Sequence, residues 1–120
     1  MIKSFEELRV WKKAYKLVTD FYECNIKFPD NERYGLESQL KRSLISVPGN
    51  IAEGCKRQYK KEFVQFLFIA KGSLSESRCY LMLCKDLGYL DEEKWNYFNN
   101  ECINIDNMID SYIQKILSNK

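Results

Sequence analysis

Four basic residues lie close together near the middle of the chain, with an aromatic residue between the two pairs. They are Lys56, Arg57, Lys60 and Lys61, and the aromatic residue is Tyr59. Lysine and arginine side chains neutralise phosphates, and an aromatic ring can stack on a nucleobase. Four such charges support weak, salt-sensitive binding without sequence preference. The alternative is that these residues form only the solvated end of a helix.

A second polar group comes from residues 46–54, SVPGNIAEG. If a helix passes through Pro48, this residue cannot donate a hydrogen bond to the carbonyl of Leu44, which then needs another partner. We expect Asn50 and Glu53 to form a polar cluster there, either a satisfied structural network or a ligand site. The alternative is a turn after which Asn50 caps a new helix.

Arg42 is the third candidate. In a helical hairpin that turns near residues 55–58, Arg42 lies level with residues 71–76. We expect an ion pair with Glu76 or a hydrogen bond near Ser73, because a buried arginine without a carboxylate is costly. The alternative is that Arg42 faces a pore or groove and meets a phosphate. We include the adjacent Lys41 among the candidate phosphate contacts.

Several kinds of chemistry lack their usual residues. The chain has no histidine, which removes the usual general base of serine and cysteine hydrolases and half of the common zinc ligands. Its five cysteines contain no C-x-x-C motif, so we expect reduced thiols in a cytoplasmic protein. We predict no catalytic residue, no metal and no cofactor. The longest apolar run, residues 66–70, is too short to cross a membrane.

Composition and apolar spacing predict a chain made of long helices. Glycine and proline number only 5 and 2, too few for the turns of an all-β fold. We predict one domain over residues 1–120 with four helices. Their expected ranges are 4–28, 32–54, 60–87 and 91–118.

The ends of these helices carry recognisable signals. Ser4 and Glu7 have the spacing of a capping box, and Asp91 has the character of an N-cap. Gly54 and Gly88 are expected as C-caps with positive φ. Gly72, in the middle of helix 3, is expected to permit close packing of helices.

Short connections between long helices favour an antiparallel, up-down-up-down, left-handed four-helix bundle, which is an all-α fold. Helix 1 carries two neighbouring apolar stripes, and helix 3 starts with an apolar run on almost every side. A helix buried on one seam needs only one stripe, so these features predict self-association. We assign four large aromatic residues to core and subunit packing: Trp11, Tyr15, Tyr22 and Trp95.

The net charge of +2 is too small to indicate a nucleic-acid-binding protein by itself. Residues 89–120 carry six acidic and three basic side chains, so helix 4 is acidic on an otherwise basic chain. This asymmetry could steer a polyanion, pair subunits or dock a basic partner.

Several segments occur together in a distinctive order: FEELRVWKKAYKL, FPDNERYGLESQLKRSLISVPGNIAEG, KKEFVQFLFIAKGSLSES and LGYL. As a set, over nearly the whole chain, they resemble a bacterial four-helix-bundle family encoded by intervening sequences of 23S rRNA genes. The sequence departs from that pattern at two positions. Lys56 follows the small residue after EG, and Tyr59 stands where a Ser or Thr usually caps helix 3.

The resemblance implies a small cytosolic protein that assembles into rings, typically homopentamers. A related branch, the accessory protein of diversity-generating retroelements, binds RNA and a reverse transcriptase through a basic surface. The resemblance implies no enzymatic activity. We therefore expect a non-catalytic homo-oligomer that binds structured RNA, or an RNA–protein complex, through basic rims. The alternative is a protein-interaction scaffold without nucleic acid, and an enzyme would have to rely on Glu53, Arg42 and the cysteines.

Overall fold

The computed structural model describes residues 4–118, which form helices and contain no β-strand. Two short 3-10 turns precede the first and second long helices. The four α-helices pack around one apolar core, and the molecule measures 50 × 25 × 20 Å. The elements are a 3-10 turn at Phe5–Glu7, α1 at Arg9–Glu23, a 3-10 turn at Asp30–Glu32, α2 at Leu36–Cys55, α3 at Lys60–Asp86 and α4 at Glu92–Ser118.

The first helix is shorter than its predicted range of 4–28. The predicted capping box is wrong, because the Ser4 hydroxyl accepts from the Glu6 amide at 3.4 Å and caps the 3-10 turn rather than α1. Glu7 therefore lies in that turn, outside the helix. At the other end Asn25 has φ +57°, a left-handed conformation that asparagine tolerates better than most residues. The chain thus leaves the helix before it reaches Pro29.

Each helix buries one stripe, and together these stripes form the core. On α1, one apolar stripe is buried and consists of Val10, Ala14, Leu17 and Phe21. Tyr15, in the neighbouring stripe, remains exposed. On α4 the residues at 3,4 spacing from Trp95 to Ile116 are buried, except for the half-buried Tyr112. The largest fully buried side chains are Leu17, Leu40, Leu44, Ile51, Leu67, Leu74, Leu81, Ile105 and Ile109.

The helix through Pro48 is confirmed, since α2 continues from Leu36 to Cys55 with Pro48 buried inside it. Gly54 does not end that helix, and the prediction of a positive-φ cap there is wrong. A Cβ at Gly54 would lie 2.6 Å from the Phe66 Cβ and 2.9 Å from the Phe63 Cδ1. Its missing side chain therefore lets α2 and α3 approach each other.

Gly88, just after α3, and Gly72, within α3, differ from Gly54 in their surroundings. Gly88 has φ +83° after the end of α3, and the Tyr89 amide donates to the Cys84 carbonyl at 2.8 Å, as expected for a glycine C-cap. Gly72 has no atom within 4 Å of its Cβ position, so the expected close packing at this residue is wrong.

Small polar residues occupy the rest of the α2–α3 contact. Ser43 and Ser77 are fully buried, and their hydroxyl oxygens lie 2.9 Å apart. Ser46 and Ser73 pair at 2.7 Å nearer to Gly54. One of the two hydroxyls donates to the other, which donates in turn to a carbonyl of its own helix, that of Leu40 for Ser43 or of Ser73 for Ser77. Both buried hydroxyls are therefore satisfied. None of the helices within residues 4–118 has both the length and the apolarity needed to cross a lipid bilayer.

We predict that Gly54→Ala destabilises the protein by about 1–3 kcal/mol, because the added methyl group forces the two helices apart. This loss should exceed the gain of about 1 kcal/mol that alanine normally brings to a helix interior. Urea unfolding followed by far-UV circular dichroism measures the difference.

Gly72→Ala is the matched control, since it makes the same change in an open position of a neighbouring helix. It should leave the stability unchanged or raise it by up to about 1 kcal/mol. Equal effects of the two substitutions would show that the approach at Gly54 is not restrictive.

Candidate nucleic-acid interface

The basic cluster lies where α2 ends and α3 begins. Lys56 is the C-cap of α2, and Tyr59 is the N-cap of α3, with extended backbone and no side-chain cap. Tyr59 is 62% exposed, and the side chains of Lys56, Lys60 and Lys61 are also exposed. The cluster therefore presents its charges and one aromatic ring to solvent at one end of the bundle.

Arg57 of the cluster contacts both a carboxylate and an aromatic ring. Its Nη2 lies 2.6 Å from the Glu53 Oε2, and its guanidinium lies 4.7 Å from the ring centroid of Phe66. Both charged side chains are exposed, and such surface pairs contribute only about 0–1 kcal/mol. A phosphate could therefore replace Glu53 as the partner of Arg57 at small cost.

Asn50 belongs to a separate network, and the predicted cluster of Asn50 with Glu53 is wrong. The Asn50 Nδ2 donates to the carbonyl and the hydroxyl of Ser46 at 2.8 and 2.9 Å. Ser46 in turn pairs with Ser73 of α3. This network joins α2 to α3 and leaves Glu53 to Arg57, because the two side chains point to different neighbours.

Arg42 and Glu76 form the ion pair expected from the hairpin geometry, with 2.8 Å between Nη2 and Oε2. Gln39 accepts a hydrogen bond from the same nitrogen, and the Tyr80 hydroxyl donates to Glu76. The pair is partly exposed rather than buried, so it carries little of the penalty of a buried charge.

Lys41 lies apart from the basic cluster. It pairs with Glu37 at 2.9 Å, and its ammonium lies 5.1 Å from the ring centroid of Tyr22. Lys41 precedes Lys56 by fifteen residues along α2, which is about 22 Å at 1.5 Å per residue. The structure thus brings four of the five predicted phosphate contacts together and leaves Lys41 outside.

Contacts between helix ends show which charges share one end of the molecule. Phe63 at the start of α3 contacts Tyr112 near the end of α4, with ring centroids 5.7 Å apart. At the opposite end, the Tyr89 hydroxyl donates to Glu32 at 3.1 Å. We call residues 4–12, 53–63 and 111–118 the basic end, and residues 20–37 and 84–94 the acidic end.

The two ends differ in charge. The basic end carries seven basic and four acidic side chains, whereas the acidic end carries four basic and nine acidic side chains. Arg9 and Lys115 contribute to the basic end, although sequence reasoning did not single them out. They are distant in sequence, and only the packing of α1 against α4 places them beside the connection between α2 and α3. The predicted charge asymmetry between helices is therefore an asymmetry between ends.

Carboxylates in the middle of α4 are used for contacts within the bundle. Glu101 pairs with Lys13 at 3.6 Å, and Lys71 pairs with Asp106 at 3.7 Å and also with Asp110. The hydrogen bond from Lys71 to Asp110 raises the pKa of Lys71, so this cation stays charged. These ion pairs reduce the acidic field that α4 was expected to present along its length.

Two apolar patches lie on different helices. The α1 patch consists of Trp11, Tyr15 and Tyr22, in which Trp11 and Tyr15 stack at 4.8 Å and Tyr15 is 52% exposed. The α3 patch consists of the adjacent residues Phe68 and Ile69, which are 54% and 50% exposed. Trp95 is buried and belongs to the core, where its ring lies 5.2 Å from the Lys85 ammonium.

The cysteines are all free thiols. Burial raises the pKa of both Cys84 and Cys102 to about 12, so these core thiols are protonated at neutral pH. Cys79 is exposed on α3. Within residues 4–118, no group of three or more cysteine and carboxylate side chains is arranged to hold a metal ion.

We predict that Ellman's reagent at pH 8 labels Cys79 first in the native protein, because the thiolate is the reactive form and Cys79 is accessible. Cys84 and Cys102 should react only after unfolding in guanidinium chloride. The Cys79→Ser variant should lose the fast phase. Rapid labelling that persists in this variant and maps to Cys84 or Cys102 would contradict the burial of these thiols in the core.

The chain is similar in sequence and in fold to known proteins. A model of the 23S rRNA-intervening sequence protein family matches residues 6–111. Among solved structures, the fold is similar to that of a protein of unknown function from the S23 ribosomal protein family of Bacteroides thetaiotaomicron. That likeness has a TM-score of 0.75 at 24% identity and covers 87% of this chain and 97% of the other. No curated protein matched the sequence. The chain belongs to the 23S rRNA-intervening sequence protein family.

Proposed function

We propose that this protein is a non-catalytic, cytoplasmic homo-oligomer that binds structured RNA, or an RNA–protein complex, through its basic end. The observation that carries the proposal is the exposed cluster of Lys56, Arg57, Lys60 and Lys61 with Tyr59 at one end of a bundle whose other end is acidic. The acidic end repels phosphates, so a polyanion is oriented toward the cluster.

The chemistry of the cluster suits nucleic acid. Its cations neutralise phosphates and release counterions, while the exposed Tyr59 ring offers a surface on which a base can stack. One such cluster binds weakly. Several copies on the rim of a ring would raise the overall affinity, because each further contact becomes intramolecular after the first has formed.

The proposed bundle is antiparallel, up-down-up-down and left-handed. Two cross-helix pairs support opposite directions of α2 and α3, since Ser43 meets Ser77 and the later Ser46 meets the earlier Ser73. The left-handed sense rests on the packing angle of about +20° that is usual in four-helix bundles.

The proposed oligomer is a ring, with five copies expected from the family resemblance. A ring needs two different, complementary surfaces on each subunit, unlike a twofold dimer, in which one surface meets itself. The α1 patch and the α3 patch are two exposed apolar surfaces. They lie on helices that do not contact each other, since α1 and α3 each pack against α2 and α4. The two patches are the surfaces that would meet between neighbouring subunits.

The second candidate function is a protein-interaction scaffold without nucleic acid. The same apolar patches favour it, since exposed apolar surface commonly marks an interface. Docking of a basic partner on α4 receives less support, because Glu101, Asp106 and Asp110 already pair with lysines of the bundle.

We predict that Lys56→Glu with Lys61→Glu weakens binding to a labelled RNA hairpin by roughly tenfold or more at about 0.1 M salt. Loss of two phosphate contacts should also lower the slope of log affinity against log salt by about 1.4, taking the value for single strands. Fluorescence anisotropy at several salt concentrations measures both quantities.

Lys27→Glu with Arg33→Glu is the matched control, because it makes the same change in net charge at the acidic end. Binding should change little. Equal losses in both double variants would indicate a general charge effect, and undiminished binding in the first would exclude the basic end. A scaffold without nucleic acid predicts no RNA binding by any of these proteins.

We predict that the wild-type protein sediments at about five times the chain mass of 14.3 kDa. Tyr15→Asp and Ile69→Asp should each abolish the ring while leaving helix content unchanged, since both side chains are exposed. A mixture of the two variants should form dimers, because one intact patch of each kind remains. Asn104→Asp on the exposed face of α4 is the control, and a monomeric wild-type protein at micromolar concentration would rule out the ring.

A further inference from the structure

An open pocket of about 610 Å³ lies between the start of α1 and the last third of α4. This volume falls in the range of sites that hold small organic ligands. None of the residues that line the pocket belongs to the basic cluster, and none was a candidate site residue in the sequence analysis. The pocket is at the basic end, because its wall residue Tyr112 contacts Phe63, which follows the cluster directly on α3.

The walls of the pocket are mainly apolar. Leu8 and Val10 are buried beneath it, and Met108 and Tyr112 form the α4 side. The contact with Phe63 holds the Tyr112 ring, and burial raises the pKa of its hydroxyl, so the group stays neutral. A flat apolar ligand could lie against these side chains, as unstacked bases do against aromatic and aliphatic residues in RNA-binding proteins.

The rim of the pocket is cationic. Arg9 and Lys115 both line it, and neither forms an ion pair within residues 4–118. Most other cations of the bundle that lie along its length, such as Lys13, Arg42 and Lys71, are paired with carboxylates. Glu7 is the acidic side chain on the rim, so the two cations leave a positive charge that suits a phosphate.

Neutral polar groups lie between the apolar walls and the cationic rim. Asn107 and Ser111 are exposed on the α4 side of the pocket. Their amide and hydroxyl groups both donate and accept hydrogen bonds, as the edge of a nucleobase requires. The pocket thus combines an apolar surface, groups for hydrogen bonding and a positive rim, and each suits a different part of one nucleotide.

We propose that this pocket receives one unstacked nucleotide of the RNA, with its base against Met108 and Tyr112 and its phosphate beside Arg9 and Lys115. The inference rests on the proposed function, which it deepens by adding a base-binding site to a phosphate-binding surface. The nearby cluster holds the flanking backbone. The pocket is too open to enclose a base, and Asn107 and Ser111 can each donate or accept a hydrogen bond, so it binds through stacking, apolar contact and hydrogen bonds with little base preference.

The first test compares a uridine 10-mer with an abasic oligomer of the same length, which has the same phosphates but no bases. The wild type should bind the 10-mer roughly tenfold more tightly, within the range that stacking of one base supplies. Ser111→Trp fills the pocket from an exposed position and should reduce this preference to what stacking on Tyr59 supplies, while leaving the affinity for the abasic oligomer unchanged. Asn100→Trp, also exposed on α4, is the matched control and should keep the preference.

The outcomes separate the two proposals. Loss of binding to both oligomers in the Lys56→Glu, Lys61→Glu variant supports the basic end and does not involve the pocket. An unchanged preference for the 10-mer in Ser111→Trp overturns the pocket proposal while the proposed function stands. Equal binding of both oligomers by the wild type has the same consequence.

A second measurement does not depend on polyanion binding. In protein with methyl-labelled methionine, AMP at millimolar concentration should shift the NMR signal of Met108 and leave that of Met82 on α3 unchanged. Ribose 5-phosphate, which lacks the base, should cause a much smaller shift, and Ser111→Trp should abolish the AMP effect. A Met108 signal that AMP does not move would overturn the proposal. A shift without any RNA binding would retain the nucleotide pocket and reject the proposed function.

Discussion

The close approach of α2 and α3 at Gly54 sets the spacing between these two helices. At Gly54 there is no room for even a methyl group, because Phe63 and Phe66 of α3 already occupy that space. Farther along, Ser43 and Ser77 are small enough to meet in the core, where one hydroxyl donates a hydrogen bond to the other. Small residues thus hold two long helices together by dispersion and by hydrogen bonds that have no access to water.

That contact also decides how the candidate interface is presented. Because the helices are close at Gly54, the connection between them is short, and Lys56 to Tyr59 have to project from the end of the bundle. Phe66 packs beneath the guanidinium of Arg57, and Phe63 supports Tyr112 at the edge of the pocket. The two aromatic residues that exclude a side chain at position 54 therefore also support both parts of the proposed RNA-binding surface.

Much of the fold could be predicted because it depends on local sequence patterns. Apolar residues at helical spacing located all four helices and the passage of α2 through Pro48, and Gly88 marked the end of α3. Two of the predicted helix caps were wrong. Ser4 and Gly54 each carry a local capping signal, yet Ser4 caps a 3-10 turn and Gly54 lies inside a helix. A glycine can serve backbone conformation or close packing, and its neighbours in sequence do not distinguish the two.

The helices, their buried faces and the basic cluster follow from local sequence, since each depends on residues within a few turns of one another. Which polar groups meet depends on how the helices pack. That packing separated Asn50 from Glu53, moved Lys41 away from the cluster and brought Arg9 and Lys115 to the same end of the bundle. Helical periodicity specifies the direction of a side chain around its own axis. The identity of the partner depends on the register and spacing of the neighbouring helix, which small residues such as Gly54 set through space.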